Sequence, residues 1–142
     1  MIGTKVTLRV RMSSGEAHYA GELVNGSHIV DFWGDVGTEL AIRLHGDESL
    51  FLGYEYINFT APVYAGDFCE YVGWIEKAGN TSFTCKFEAY KYIQLTRKPE
   101  DALSAADVLD EKVLIAEAVG TLVVKKDMQR ADKGGDPAFQ NR

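Results

Sequence analysis

A single stretch of helical periodicity lies in a chain whose other apolar runs follow a period of two, and this imbalance constrains the fold most. Between Ser27 and Leu44, the residues Ile29, Trp33, Val36, Leu40 and Leu44 recur at spacings of four, three, four and four. That spacing makes one apolar stripe on a helix. Gly46-Asp47 supplies its stop. Gly34 and Gly37 lie inside the same helix, where each costs about 1 kcal/mol relative to alanine. Close approach of a sheet or a ligand is the usual reason to keep such glycines. Asp31, Asp35 and Glu39 step by four along a neighbouring face.

The remaining elements read as strands. Lys5 to Met12 alternates Val6, Leu8, Val10 and Met12 with Thr7, Arg9 and Arg11, the pattern of a half-buried strand. Leu50 to Thr60 and Phe68 to Lys77 follow, and Val113 to Lys126 is the last. Gly79-Asn80 is a two-residue hairpin signal. It sets Ala78 opposite Thr81, Val72 opposite Phe87, Trp74 opposite Cys85 and Glu76 opposite Phe83. Cys69 then falls opposite Tyr90, so a Cys69–Cys85 disulfide is not expected. Arg97 to Glu111 reads as a connection with helical character around Pro99 to Asp107, its five acids facing solvent. The order is one strand, one long helix, then four strands: an α+β arrangement. One stripe on one helix cannot cover both faces of such a sheet, so an exposed edge or face is expected to pair with a second copy.

Length and charge narrow the function. A chain of 142 residues suits one domain. Asp plus Glu number 21 against 15 Lys plus Arg, a net charge of -6. Such a balance opposes nucleic-acid binding, which depends on neutralising phosphates. No apolar run approaches the roughly 20 residues of a membrane helix, and Lys5, Arg9 and Arg11 interrupt any leader-like core. Two cysteines without CxxC spacing fit a reducing, cytoplasmic location. Residues 1–126 form the expected single domain, and 127–142 a loose polar tail.

The element order resembles the hotdog fold, a five-stranded antiparallel sheet wrapped around one central helix. Two patterns carry the resemblance. Asn25-Gly26-Ser27 leads into a helix bearing Trp33-Gly34-Asp35, as in acyl-CoA thioesterases, and Pro62-Val63-Tyr64-Ala65-Gly66-Asp67 is similar to a connection common in hotdog enzymes. The strings AHYAGELVNGSHIVDFWGDVGTEL, LFLGYEYINFTAPVYAGDF and GWIEKAGNTSFTCKFEAYK resemble the β-aminoacyl-CoA ammonia-lyases of amino-acid fermentation, lysine fermentation included. The Asp-x-Asn-Pro-x-His signature of hotdog hydratases and the His-Gly-Gly of many thioesterases are absent. The resemblance implies reversible loss of ammonia from a 3-aminoacyl-CoA, with 3-aminobutyryl-CoA ahead of β-alanyl-CoA. It also implies a site at a dimer interface, hence a homodimer or higher homo-oligomer.

That chemistry needs a base for the α-proton, a group that stabilises the enolate oxygen, and a holder for the ammonium. The thioester is itself the electron sink, so neither a cofactor nor a metal is expected, CoA being part of the substrate. Free N–H groups at Asn25, Gly26 and Ser27, at a helix N-terminus, suit an oxyanion. Asp35 and Glu39, four apart on one face, suit the base and the ammonium holder in either order. His18, in the loop before the helix beside Tyr19, can relay a proton. His28, Asp31 and Asp35 have only generic spacing for a metal. No phosphate-binding glycine loop is present, so the CoA phosphates must meet scattered cations such as Arg11, Lys77, Lys86, Lys125 and Lys126. A thioesterase using Asp35 or Glu39 to activate water, and a non-catalytic acyl-CoA-binding domain, are the alternatives. The substrate partners expected are an acyl-CoA and ammonia, with no nucleic acid and no membrane.

Overall fold

The computed structural model describes residues 2–140. Its elements are β1 (Val6–Arg11), α1 (Gly26–His45), β2 (Leu50–Phe59), β3 (Phe68–Ala78), β4 (Ser82–Leu95), β5 (Ala106–Val123) and a short α2 (Ala131–Gly134). The five strands form one antiparallel sheet in the order β1-β3-β4-β5-β2, with β1 and β2 at its edges. The sheet curves around α1, and register shifts in β2/β5, β3/β4 and β4/β5 accompany the curvature.

The expected stripe is the buried side of α1. Ile29, Trp33, Val36, Leu40 and Leu44 all lie in the core, where Trp33 and Leu40 are fully buried. The Trp33 indole N–H donates to the Glu88 carbonyl at 3.1 Å, so the deepest side chain of the helix also satisfies its one polar atom. At Gly37 the sheet presses on the middle of the helix: a Cβ there would sit 3.2 Å from both Leu122 and Phe51. Gly34 faces open space instead, so only one of the two helix glycines has a packing reason in the protomer. Gly46 ends the helix in the left-handed region, φ 68°.

Two expectations change. The β3–β4 register is one residue away from that set by a two-residue turn. Gly73 pairs with Phe87 and Trp74 with Lys86, and a further shift follows between Ile75 and Lys77. The cause is twofold: the turn closes through the Gly79 N–H to the Ser82 carbonyl at 2.7 Å, so Asn80-Thr81 and not Gly79-Asn80 form it, which sets Ala78 opposite Phe83, and the irregularity between Ile75 and Lys77 takes one residue back. A one-residue slip exchanges the faces of a strand. Tyr71, Gly73 and Ile75 therefore face the core, while Trp74 turns outward over the Lys5 ammonium. Cys69 lies opposite Lys91, and both cysteines are free and buried. The second change is at β5, which begins at Ala106, so the connection shrinks to 96–105. Ile93 pairs with Val108 and Leu95 with Ala106. That end of the hairpin projects beyond the core with both faces wet, and Val108 is 78% exposed, so no apolar alternation marks it.

The C-terminal segment is not loose. Phe139 is buried against α1 under the Arg43 guanidinium, and Asp136 pairs with Arg43 at 2.5 Å. Its polar composition hid one aromatic anchor. Truncating a buried Phe costs about 3–5 kcal/mol, so Phe139→Ala is expected to lower the denaturant midpoint of the protein clearly, whereas a loose tail would leave it unchanged.

Candidate active site

The N-terminus of α1 opens into an apolar hollow. Asn25 occupies the cap position in extended geometry, but its side chain does not cap the helix; its amide donates to the Ser27 hydroxyl. The Gly26 and Ser27 N–H groups are left at the positive end of the helix dipole, available to an anion. Beside them a hollow of about 500 Å³ is lined by Tyr19, Leu23, Ile29, Phe59, Thr60 and Pro62, among others. That size suits the acyl end of a small ligand. Gly26 is required here: a Cβ would lie 2.8 Å from the Phe59 ring. The close approach expected at Gly26 is therefore made by a side chain of β2, and Phe59, 53% exposed, flanks the amide groups.

Both walls of the hollow are tied to the helix start. The Val24 N–H donates to the Val63 carbonyl at 2.8 Å, and the Ala65 N–H to the Glu22 carbonyl at 3.0 Å. The loop after β2 and the loop before α1 thus move as one body.

The acidic residues of α1 lie elsewhere. Asp31, Asp35 and Glu39 are exposed on the side of α1 away from the sheet. Glu39 pairs with Arg43 at 2.9 Å, and Arg43 also holds Asp136. The two carboxylates expected to act together are therefore unequal: among the described residues Glu39 has an ion-pair partner and Asp35 has none. Nine residues separate Gly26 from Asp35, which on a helix is about 13.5 Å along the axis and half a turn around it. The two cannot meet one small reacting group within a single protomer.

His18 is exposed with its ring edge against Tyr19, and it is Tyr19 that lines the hollow. A pair without any signal in the spacing of the sequence lies close by. His28 Nε2 and Glu16 Oε2 are 2.5 Å apart, and Glu16 also accepts from the Ser13 N–H at 2.9 Å. This pair pins the β1–α1 loop to the first turn of the helix. Burial alone would raise the Glu16 carboxyl. The Ser13 amide and His28 outweigh it and hold the group below its ordinary 4.5. Among the described residues, His28 also contacts Asp31 at 3.5 Å, and no three His, Cys, Asp or Glu side chains converge as a metal set.

Of the cations expected to meet phosphates, Lys86 is committed to Glu117 at 2.6 Å and to the Tyr56 hydroxyl at 2.9 Å. Arg11, Lys77, Lys125 and Lys126 are exposed. Arg97 and Lys98 line a second hollow beside Leu95 and Leu103, a placement that depends on the curl of the β4–β5 connection and has no local motif. The buried thiols of Cys69 and Cys85 are both pushed up to about 12, chiefly by burial, which makes them inert as nucleophiles.

The family model described as the thioesterase superfamily matches residues 21–96. The 3-aminobutyryl-CoA ammonia lyase of Acetoanaerobium sticklandii is 47% identical over 126 residues, 89% of this chain and 98% of that protein. Among solved structures, the β-alanyl-CoA:ammonia lyase from Clostridium propionicum is similar at a TM-score of 0.92 and 50% identity, covering 99% of this chain and 97% of that one. A hexameric hotdog fold thioesterase of Campylobacter jejuni aligns at a TM-score of 0.68 and 16% identity over 93% of this chain and 90% of its own, a likeness of fold.

The depressed Glu16 carboxyl makes a pH prediction with a fixed sign. A lowered folded-state pKa contributes stability that is fully present above the unfolded value and lost as pH falls through the folded one. The stability gap between the protein and its Glu16→Gln variant is therefore expected to be present at about pH 6 and to close well below 4.5. Denaturant titrations of both proteins across that range measure it. A gap that widens in acid would contradict the geometry.

Proposed function

The chain belongs to the thioesterase superfamily and, within it, to the β-aminoacyl-CoA ammonia-lyases, and from that premise we propose that it reversibly removes ammonia from a 3-aminoacyl-CoA to give a 2-enoyl-CoA. It is a carbon–nitrogen lyase acting on a CoA thioester. 3-Aminobutyryl-CoA is the preferred substrate in this reading and β-alanyl-CoA the next; they differ by one methyl group on the reacting β-carbon. The near end-to-end likeness to the two ammonia lyases carries the reading.

The reaction removes the α-proton, moves its electron pair into the thioester as an enolate, and returns it to form the double bond as the C–N bond breaks. The N–H groups of Gly26 and Ser27 take the enolate oxygen; one such donor is worth about 3–4 kcal/mol in a transition state. The hollow beside Phe59 and Tyr19 takes the carbon chain. Asp35, without an ion-pair partner among the described residues, takes the α-proton, and the acidic face around it, with Glu39 sharing its charge with Arg43, holds the substrate's ammonium group until it leaves as neutral ammonia. His18, exposed beside Tyr19, relays the proton to solvent. The thioester supplies the electron sink, so the mechanism calls on no cofactor and no metal.

Helix geometry keeps Asp35 and Gly26 apart in one protomer, so the complete site takes its amide groups from one copy and Asp35 from another. The exposed β2 edge supports such pairing: Leu50 and Leu52 are 61% and 64% exposed on a strand bonded on one side only. The proposed assembly is a homodimer or higher homo-oligomer. The proposed location is the cytoplasm, where two free thiols stay reduced.

Incubation with crotonyl-CoA and ammonium tests the reading. Loss of the enoyl chromophore without free thiol is expected. Thiol release would make the protein a thioesterase, and binding without either signal would make it a non-catalytic acyl-CoA domain. Asp35→Asn is expected to cut turnover by about 100-fold or more with the assembly intact; near-normal turnover would remove Asp35 from the mechanism. The ratio of kcat/KM for crotonyl-CoA to that for acrylyl-CoA decides the substrate order, and a ratio above one is expected.

A further inference from the structure

A buried pair of opposite charges lies behind the wall of the hollow. Asp67, with none of its surface exposed, and Lys91, 7% exposed, face each other with Oδ2 and Nζ 3.8 Å apart. The Lys91 ammonium donates to the Pro62 carbonyl at 3.0 Å and sits 5.8 Å from the centre of the Tyr64 ring. Asp67 Oδ2 accepts the Tyr64 N–H at 2.8 Å, and Oδ1 is buried with no hydrogen-bond partner among the described residues.

As a stabilising device this pair is poor. Two charges lose their hydration, the ammonium and carboxylate are not in close contact, and one oxygen is left over; apolar side chains of like volume are often at least as stable in such places. Yet the backbone is deformed around Lys91. The β4–β5 register shifts between Ala89 and Tyr90 and again between Lys91 and Ile93, and the β3 partner shifts between Phe68 and Cys69, which itself pairs with Lys91. Irregularities of this kind re-aim a side chain. Here the re-aimed side chain ends on the carbonyl of a residue that lines the hollow.

We propose that Lys91, held by Asp67, is a positioning residue: it fixes the Pro62 carbonyl and with it the wall that faces the α1 N-terminus. The coupling is short. Pro62 leads into Val63, whose carbonyl takes the Val24 N–H just ahead of Asn25, Gly26 and Ser27. Tyr64, between the Lys91 ammonium and the Asp67 carboxylate, bridges to Leu23 on the opposite wall. Removing the ammonium frees the turn from 62 to 67 and, through Val24, the register of the wall against the amide groups. A misplacement of this kind costs binding and orientation without touching a reacting atom.

The kinetic half of the test rests on the lyase reading; the exchange half does not. In Lys91→Met, amide hydrogen exchange at Val24 and Tyr64 is expected to quicken by about tenfold while core amides such as Phe87 and Ile115 keep their rates. KM for crotonyl-CoA is expected to rise roughly tenfold with kcat changed by less than about threefold, and Lys91→Arg to return KM most of the way. Should Lys91→Met not fold, Asp67→Asn serves, with the same local quickening expected. Unchanged exchange at Val24 and Tyr64, or an equal quickening everywhere with KM unmoved, would overturn the proposal. Absence of turnover in the unmutated protein would count against the lyase reading alone, and the exchange comparison would still decide Lys91.

Discussion

One helix pressed into a curved sheet organises this molecule. The stripe from Ile29 to Leu44 meets the inner faces of the strands, and Gly37 lets the two surfaces close to van der Waals contact with Leu122 and Phe51. Trp33 fixes the rotation of the helix, since its ring must be buried and its indole N–H must reach the Glu88 carbonyl. Once rotation and depth are set, the rest follows. The N-terminal turn emerges at the seam between the two loops that join β1 to α1 and β2 to β3, and the Asp31–Asp35–Glu39 face points away from the sheet. The helix N-terminus and the acidic face are thus placed by packing that has nothing chemical about it.

What the sequence discloses and what it hides separate along physical lines. The helix stripe and the succession of one strand, one helix and four strands were legible because burial on one side imposes a period on the residues. The β3–β4 register was not, because it depends on which two residues form the turn and on an irregularity between Ile75 and Lys77 that no residue pattern marks, and one residue exchanges every face. The outer half of β5 was hidden since strands wet on both faces need no pattern. Residues 25–27 could be marked from the helix start alone, while Phe59, Tyr19 and Pro62 enter the hollow only once β2 and the loops are folded. Glu16 with His28, and Asp67 with Lys91, are pairs of distant positions; neither partner carries a signal by itself.

The net charge of -6 acquires a geography. Glu100, Asp107, Asp110 and Glu111 are exposed along the projecting β4–β5 hairpin, where they repel without cost to the core. Glu70 and Glu117 are spent on the outer sheet face, answered by Lys112, Arg9 and Lys86. Burial pushes Glu70 upward, yet Lys112 and Arg9 hold its carboxyl below the ordinary range. On α1, Asp31 contacts His28 and Glu39 pairs with Arg43, so among the described residues Asp35, in the middle of that face, is the acid left without a basic neighbour.

Arg43 joins two parts of the chain that are far apart in sequence. It grips Glu39 with one side of its guanidinium and Asp136 with the other, and the segment carrying Asp136 is anchored by Phe139. The electrostatics of the acidic helix face are therefore a property of the chain terminus as well as of the helix. Whatever occupies or displaces that terminus, an affinity tag or a neighbouring subunit alike, sets how much of the arginine is left to neutralise Glu39. Asp136 thus competes with Glu39 for one guanidinium, and a segment nearly a hundred residues away in sequence tunes the charge of the helix face.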